Sequence, residues 1–147
     1  VWGLIEDKEY ASRIENTFTK EIVEWRGFLP TNKFQEQLGR CRALINTPKW
    51  NEAYGNVIVE AMACGGPVVA YDLGGPGELI EDGVNGFLVQ PNDLEGMIKA
   101  TKLISKIKRR NCRDWFEKNA SNKVFAERVE NWINKGLNKN IFEDFHT

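Results

Sequence analysis

The stretch Trp50–Glu78, "WNEAYGNVIVEAMACGGPVVAYDLGGPGE", is the most apolar part of the chain, and its reading decides the fold. Its middle, "NVIVEAMAC" from Asn56 to Cys64, reads as a short apolar helix. Gly65-Gly66-Pro67 stops it, with glycine at the left-handed position and proline opening the next segment. "PVVAY" then reads as a strand. Two carboxylates, Glu52 and Glu60, bracket the start of this core-building helix.

Outward from this centre, short apolar runs alternate with longer helical patterns. Upstream, Val1 to Ile5 reads as a strand, Asp7 to Phe18 as a helix and Glu21 to Gly27 as a second strand. A helix over Thr31 to Arg40 follows, with Thr31 as its cap, then a strand over "ALINTP" ended by Pro48. Downstream come one helical turn in "GELIEDG", a strand in "GFLVQ" and a helix in "NDLEGMIKATKLI". From Arg109 to Leu137 the pattern is helical throughout, with Trp115, Phe116, Phe125, Val129, Trp132 and Ile133 as the apolar stripe. Strand–helix alternation with short links predicts a Rossmann-like α/β fold, a parallel sheet with helices on both faces. The tail "NKNIFEDFHT" is polar with two phenylalanines, expected either to dock on a partner lobe or to be loose.

The 147 residues suit one domain, which buries roughly 70% of its unfolded surface without needing disulfides or metal. Twenty basic residues against twenty-one acidic ones leave a net charge of −1, which gives no electrostatic case for nucleic acid or an anionic membrane. Cys41, Cys64 and Cys112 are odd in number and lack CxxC spacing, and the one histidine, His146, stands next to the end. A disulfide framework and a zinc site are therefore not expected, His146 reads as a frayed terminal residue, and a reducing cytosol fits. No apolar run approaches the ~20 residues of a membrane span, and no signal peptide is visible. The start at Val1, inside an apolar run, resembles a cut through a larger protein.

In open parallel sheets, ligands sit beyond the carboxyl ends of the strands. The loop "TPKWNEAYG" occupies such a place, with Asn56 as the expected N-cap and Gly55 before it admitting a ligand to the backbone. The amides of Asn56, Val57 and Ile58 would then point outward at the positive end of the helix, a setting that favours phosphate. Carboxylates suit sugar hydroxyls because they accept two hydrogen bonds in fixed directions. Glu52 in the loop and Glu60 one turn inside the helix could so flank a phosphate with two hydroxyl-bearing rings, as in a nucleotide sugar. The plainer reading stands beside it: acidic residues near a helix start complement the dipole, and a Gly-Gly-Pro stop is ordinary.

"EAYGNVIVEAMACGGPVVAYDLGGPGELIEDGVNGFLV" resembles the signature of the group 1 (family 4) retaining glycosyltransferases, which have the GT-B fold of two Rossmann-like lobes. Glu52 and Glu60 fit its paired glutamates, and Ala61 to Ala63, Gly65, Pro67 to Val69, Gly74, Gly75 and Glu78 fit the remainder. "EWRGFL" and "DGVNGFLVQPND" resemble two further family segments, so the likeness runs to about Ala100.

The resemblance implies that residues 1–147 are a partial C-terminal, nucleotide-sugar-binding domain. It implies that Glu52 holds donor-sugar hydroxyls near the reacting carbon and Glu60 the ribose hydroxyls. The amides of Gly55, Asn56 and Val57 would face the sugar and diphosphate, and the Leu29 backbone the nucleobase. The implied reaction moves a glycosyl unit from a nucleoside-diphosphate sugar to an acceptor, with retention and without metal or other cofactor. The implied setting is cytoplasmic, peripheral to the inner membrane face in a full-length enzyme.

The family's donor lobe opens with a further strand and helix carrying an arginine and a lysine for the diphosphate, and neither has a counterpart here. Lys49, near the loop, matches no family motif and reads as a solvated surface residue. Losing two such contacts would weaken binding by about 3–6 kcal/mol, so the isolated chain is expected to bind weakly and to be inactive without its acceptor lobe. An unprotected sheet edge left by that strand would favour weak self-association. The competing reading is a non-catalytic nucleotide-sugar-binding or interaction domain left after loss of the acceptor lobe. A dinucleotide-dependent dehydrogenase is a poor third, because "GGPGE" is not a GxGxxG.

Overall fold

In the computed structural model, which describes residues 1–138, the core is built around β2 (Val68–Tyr71). Val68, Val69 and Ala70 are all fully buried. Successive strand side chains point to opposite faces, so both faces of β2 are covered. It runs parallel to β1 (Leu44–Asn46) on one side and β3 (Gly86–Val89) on the other, in the order β1-β2-β3. Leu44 pairs with Val68, and Val68 with Gly86.

The chain divides into two compact units, the first running from Val1 to Gln37 and the second starting at Leu38. In the second, helix α3 (Asn56–Ala63) links β1 to β2 and buries Ile58, Ala61 and Met62, the spacing of one helical face. It packs on both strands and against α6 (Arg109–Asn119). Truncating Ile58 or Met62 to alanine removes about 2–5 kcal/mol. The helix closes as the Gly-Gly-Pro signal predicts: the Gly65 amide donates to the Met62 carbonyl at 2.9 Å and that of Gly66 to Ala61 at 2.7 Å. A single turn, α4 (Pro76–Leu79), joins β2 to β3. Helix α5 (Leu94–Leu103), capped by Asp93 accepting from the Gly96 amide at 2.9 Å, packs on β2 and β3 and runs into a 3-10 turn, Ile104–Lys106.

Two polar devices tie this unit together. Asn85 is fully buried; it accepts from the Glu81 amide at 2.8 Å and donates to the Leu79 carbonyl at 3.1 Å, which fixes the link into β3. Arg109 donates to the carbonyls of Gly39 (2.6 Å), Cys41 (2.8 Å) and Cys64 (3.4 Å), satisfying groups left over at helix ends. Among the described residues no helix is long and apolar enough to cross a membrane.

The first unit departs from its expected form. Helix α1 (Lys8–Thr17) forms with Asp7 as its cap, and α2 (Thr31–Arg40), which runs across the boundary, forms as predicted. Thr31 is the first helical residue and not the cap, since the Pro30 carbonyl takes the first bond, from Phe34 at 2.9 Å. The segments at Val1 and Glu21 are not strands. They pair irregularly, Arg26 to Val1 at 2.8 Å and Gly3 to Gly27 at 2.9 Å, because Gly3 (φ +132°) and Gly27 (φ +64°) leave the extended conformation.

The long C-terminal helix is two helices, α6 and α7 (Asn122–Asn138), broken at Ala120 and Ser121. Ser121 accepts from the Val124 amide at 3.4 Å and so starts the second. Its half of the expected apolar stripe does not join the core: Phe125, Val129, Trp132 and Ile133 are exposed. The expectations for His146 and for the tail beyond Asn138 lie outside the described residues.

Candidate functional site

The loop from Thr47 to Gly55 leaves the carboxyl end of β1 and delivers the chain to α3, as the pattern predicts. Glu52 lies in it, half-buried and held at both backbone groups. Its amide donates to the Leu73 carbonyl at 3.1 Å, and its carbonyl accepts from the Gly75 amide at 2.6 Å. This is a one-residue parallel bridge, Glu52 to Gly74. Gly74 adopts φ +81°, and a β-carbon on it would stand 2.5 Å from the Glu52 carbonyl oxygen. One on Gly75 would run into the Tyr54 carbonyl. The Gly-Gly loop is thus the floor on which the glutamate loop rests, and only hydrogen fits there.

Gly55, not Asn56, occupies the N-cap. It is buried, with φ 98° and ψ 56°, and no side chain caps the helix. A left-handed turn is needed here, which glycine adopts freely and asparagine less so, and Asn56 becomes the first helical residue. The Gly55 carbonyl accepts from Ile58 at 2.9 Å and from Val59 at 3.3 Å. The Ile58 amide is therefore spent inside the helix and does not face outward as expected. Among the described residues, the amides of Gly55, Asn56 and Val57 have no protein partner.

Glu60 is exposed one turn along the helix, and neither its carboxylate nor that of Glu52 takes a hydrogen bond or ion pair from the described residues. Lys49 is exposed, in keeping with a solvated surface residue. Leu29 belongs to the first unit, where it is half-buried and lines a cavity of about 640 Å3 with Trp2, Arg26 and Lys33.

Two features escaped sequence reasoning. Asn46, the last residue of β1, has its side-chain amide nitrogen buried without a partner, at the strand end that leads into this loop. A polar residue closing the apolar run "ALIN" was the available signal. The second is a cavity of about 710 Å3 lined by Tyr54, Asn56 and Val59 and by residues of α7.

At the other end of α3, burial pushes the Cys64 thiol up, Arg113 pulls it down, Glu60 adds to the rise and Arg109 opposes it. The net rise leaves a neutral thiol, a poor nucleophile. Among the described residues, no three His, Cys, Asp or Glu side chains converge on a metal position. Unpaired amides at a helix start attract an anion, and flanking carboxylates accept hydroxyl protons. The arrangement can hold a phosphate together with polyhydroxyl groups.

Known proteins carry the same architecture. Crystal structures of Anabaena HepE in complex with UDP and with UDP-glucose superpose with TM-scores of 0.73 and 0.69 at 27% identity, covering 88% of this chain and 40% of HepE. An uncharacterized glycosyltransferase of Methanocaldococcus jannaschii is 38% identical over 101 residues, 65% of this chain and 28% of its own length. Sucrose synthase 6 of Arabidopsis thaliana is 32% identical over 142 residues, 94% of this chain and 14% of its own length. The chain thus spans less than half the length of these proteins. The family model for group 1 glycosyl transferases matches residues 3–123. With that match over most of its length, on an α/β fold shared with GT-B enzymes, the chain belongs to the group 1 glycosyl transferases.

Proposed function

We propose that residues 1–147 are the C-terminal, donor-binding lobe of a family 4 retaining glycosyltransferase that takes a nucleoside-diphosphate sugar. One observation carries the reading: three amides without protein partners open α3 between two carboxylates that are themselves unpartnered among the described residues. The UDP and UDP-glucose complexes of HepE support it. Glu60 accepts the ribose hydroxyls, Glu52 the hydroxyls of the donor sugar, and the amides of Gly55, Asn56 and Val57 face the sugar and diphosphate. The Leu29 backbone meets the nucleobase.

Breaking the bond between the anomeric carbon and the diphosphate leaves negative charge on the leaving oxygen. Fixed amides and the positive end of α3 stabilise that charge without having to reorganise, so no metal is assigned to the step. Glu52 positions the sugar and stabilises developing positive charge at its ring. The reading places the protein in the cytoplasm, peripheral to the inner membrane face when joined to its acceptor lobe. It also assigns a weak self-association to the β1 edge of the sheet.

Calorimetric titration with UDP-, GDP- and ADP-glucose tests the reading. Binding of one of them, unchanged by EDTA and weakened about tenfold in Glu60→Ala, is the expected result. Equal affinities of the wild type and the variant would remove Glu60 from the ribose. The purified 147-residue chain is expected to bind donor weakly without transferring its sugar, because the acceptor contacts belong to the other lobe. Any glycosyl transfer it catalysed would overturn that expectation.

A further inference from the structure

Trp25, on the segment that follows α1, is half-buried, and its indole nitrogen is buried without a hydrogen-bond partner among the described residues. A buried indole N–H ordinarily finds an acceptor, because it can only donate and loses its water on burial. Trp25 lines a cavity of about 560 Å3 with Glu15, Phe18 and Lys20. That volume lies within the roughly 300–1,000 Å3 of small-molecule sites.

The chain shapes this cavity by turning back on itself. Phe18 closes α1 by donating its amide to the Ile14 carbonyl at 2.9 Å. The Thr19 carbonyl then accepts from the amides of Ile22 at 2.9 Å and Val23 at 3.0 Å. The turn brings Val23 and Trp25 beside the end of the helix. Phe18 stays 43% exposed and, with Val23, supplies an apolar wall.

The charges select the ligand. Glu24 also lines the cavity, but its carboxylate already pairs with Arg26 at 2.7 Å. The Glu15 carboxylate and the Lys20 ammonium have no partner among the described residues. One free charge of each sign therefore borders the cavity, together with the unpaired indole N–H. A cationic ligand would meet Lys20 and leave the indole without an acceptor. An anionic one would serve both donors but be repelled by Glu15, and an uncharged apolar one would serve none of the three. A zwitterion serves all of them. Its carboxylate accepts from Trp25 and Lys20, its ammonium donates to Glu15, and an apolar side chain lies on Phe18 and Val23.

We infer that the cavity at the end of α1 is a binding site for a free α-amino acid with a large apolar side chain. Of its residues only Glu24 also lines the cavity around Leu29, and none is an assigned donor contact. The site therefore stands independently of the donor-binding reading.

The test uses the 147-residue chain labelled with nitrogen-15, with the Trp25 indole N–H assigned by its loss in Trp25→Phe. L-phenylalanine is titrated beside 3-phenylpropanoate, which lacks the ammonium, and 2-phenylethylamine, which lacks the carboxylate. L-phenylalanine is expected to shift the Trp25 indole saturably at millimolar concentration, and each analogue to bind about tenfold more weakly. Glu15→Gln and Lys20→Gln are each expected to weaken L-phenylalanine about tenfold. Both side chains are exposed, so the other indole signals should keep their positions in the two variants. A Trp25 indole that L-phenylalanine does not move overturns the site. So does equal binding of either analogue, or an affinity for L-phenylalanine that either variant leaves unchanged.

Discussion

A hydrogen atom at Gly74 is what lets the Glu52 loop lie where it does. Alanine there meets a carbonyl at 2.5 Å in a backbone at φ +81°, so Gly74→Ala is expected to destabilise the fold by about 2–4 kcal/mol. Gly83 is the control: its φ is +76°, yet a β-carbon there has nothing within 4 Å. Gly83→Ala should cost about 1 kcal/mol, the backbone term alone. Urea unfolding of the two variants compares them, and equal losses would show that the close approach to Glu52 does not matter. The glutamates and these glycines were legible as a pattern, because chemistry of this kind needs fixed residue types at fixed spacing. Gly55 was misjudged because asparagine is a common cap, and only the path of the backbone reveals a left-handed turn one residue earlier. Asn85 was invisible, since nothing in "VNGFLV" marks one amide as the buried strut of a loop.

At the scale of elements, α6 is tied to the link into β3 by a thiol. Cys112 is fully buried, and its Sγ donates to the Asn85 carbonyl at 3.5 Å. Burial pushes its pKa up from 9.0 to about 11, with Arg109 pulling it back. The folded state therefore holds this proton more tightly than the unfolded chain. Its contribution to stability is complete below about pH 9 and is lost as the pH rises through about 11. Urea midpoints measured from pH 8 to 11 should fall for the wild type and fall less for Cys112→Ala; parallel curves would rule the thiol out as the cause. The central helices and strands were legible because their burial is written in unbroken apolar runs. The break between α6 and α7 was signalled only by "NASN", a polar cluster that helical periodicity on both sides outweighed.

At the scale of the whole molecule, β1 is a three-residue edge strand among the described elements, and its Ile45 is 53% exposed. Sedimentation velocity should show association that grows with concentration and is suppressed in Ile45→Lys, since a charge on an edge blocks pairing. A single monomeric species at every concentration would remove that proposal. By itself, the sequence determined the parallel sheet around β2, the glycine stop of α3 and the paired carboxylates at its start. These follow from local patterns of burial, turn chemistry and spacing, which the chain carries wherever it folds. Only the tertiary structure decided which amides stay unpaired, why two glycines must lie beneath Glu52, and that the α7 stripe lines a cavity instead of entering the core. Those outcomes depend on which distant segments meet, and periodicity in one helix carries no record of what its face will touch.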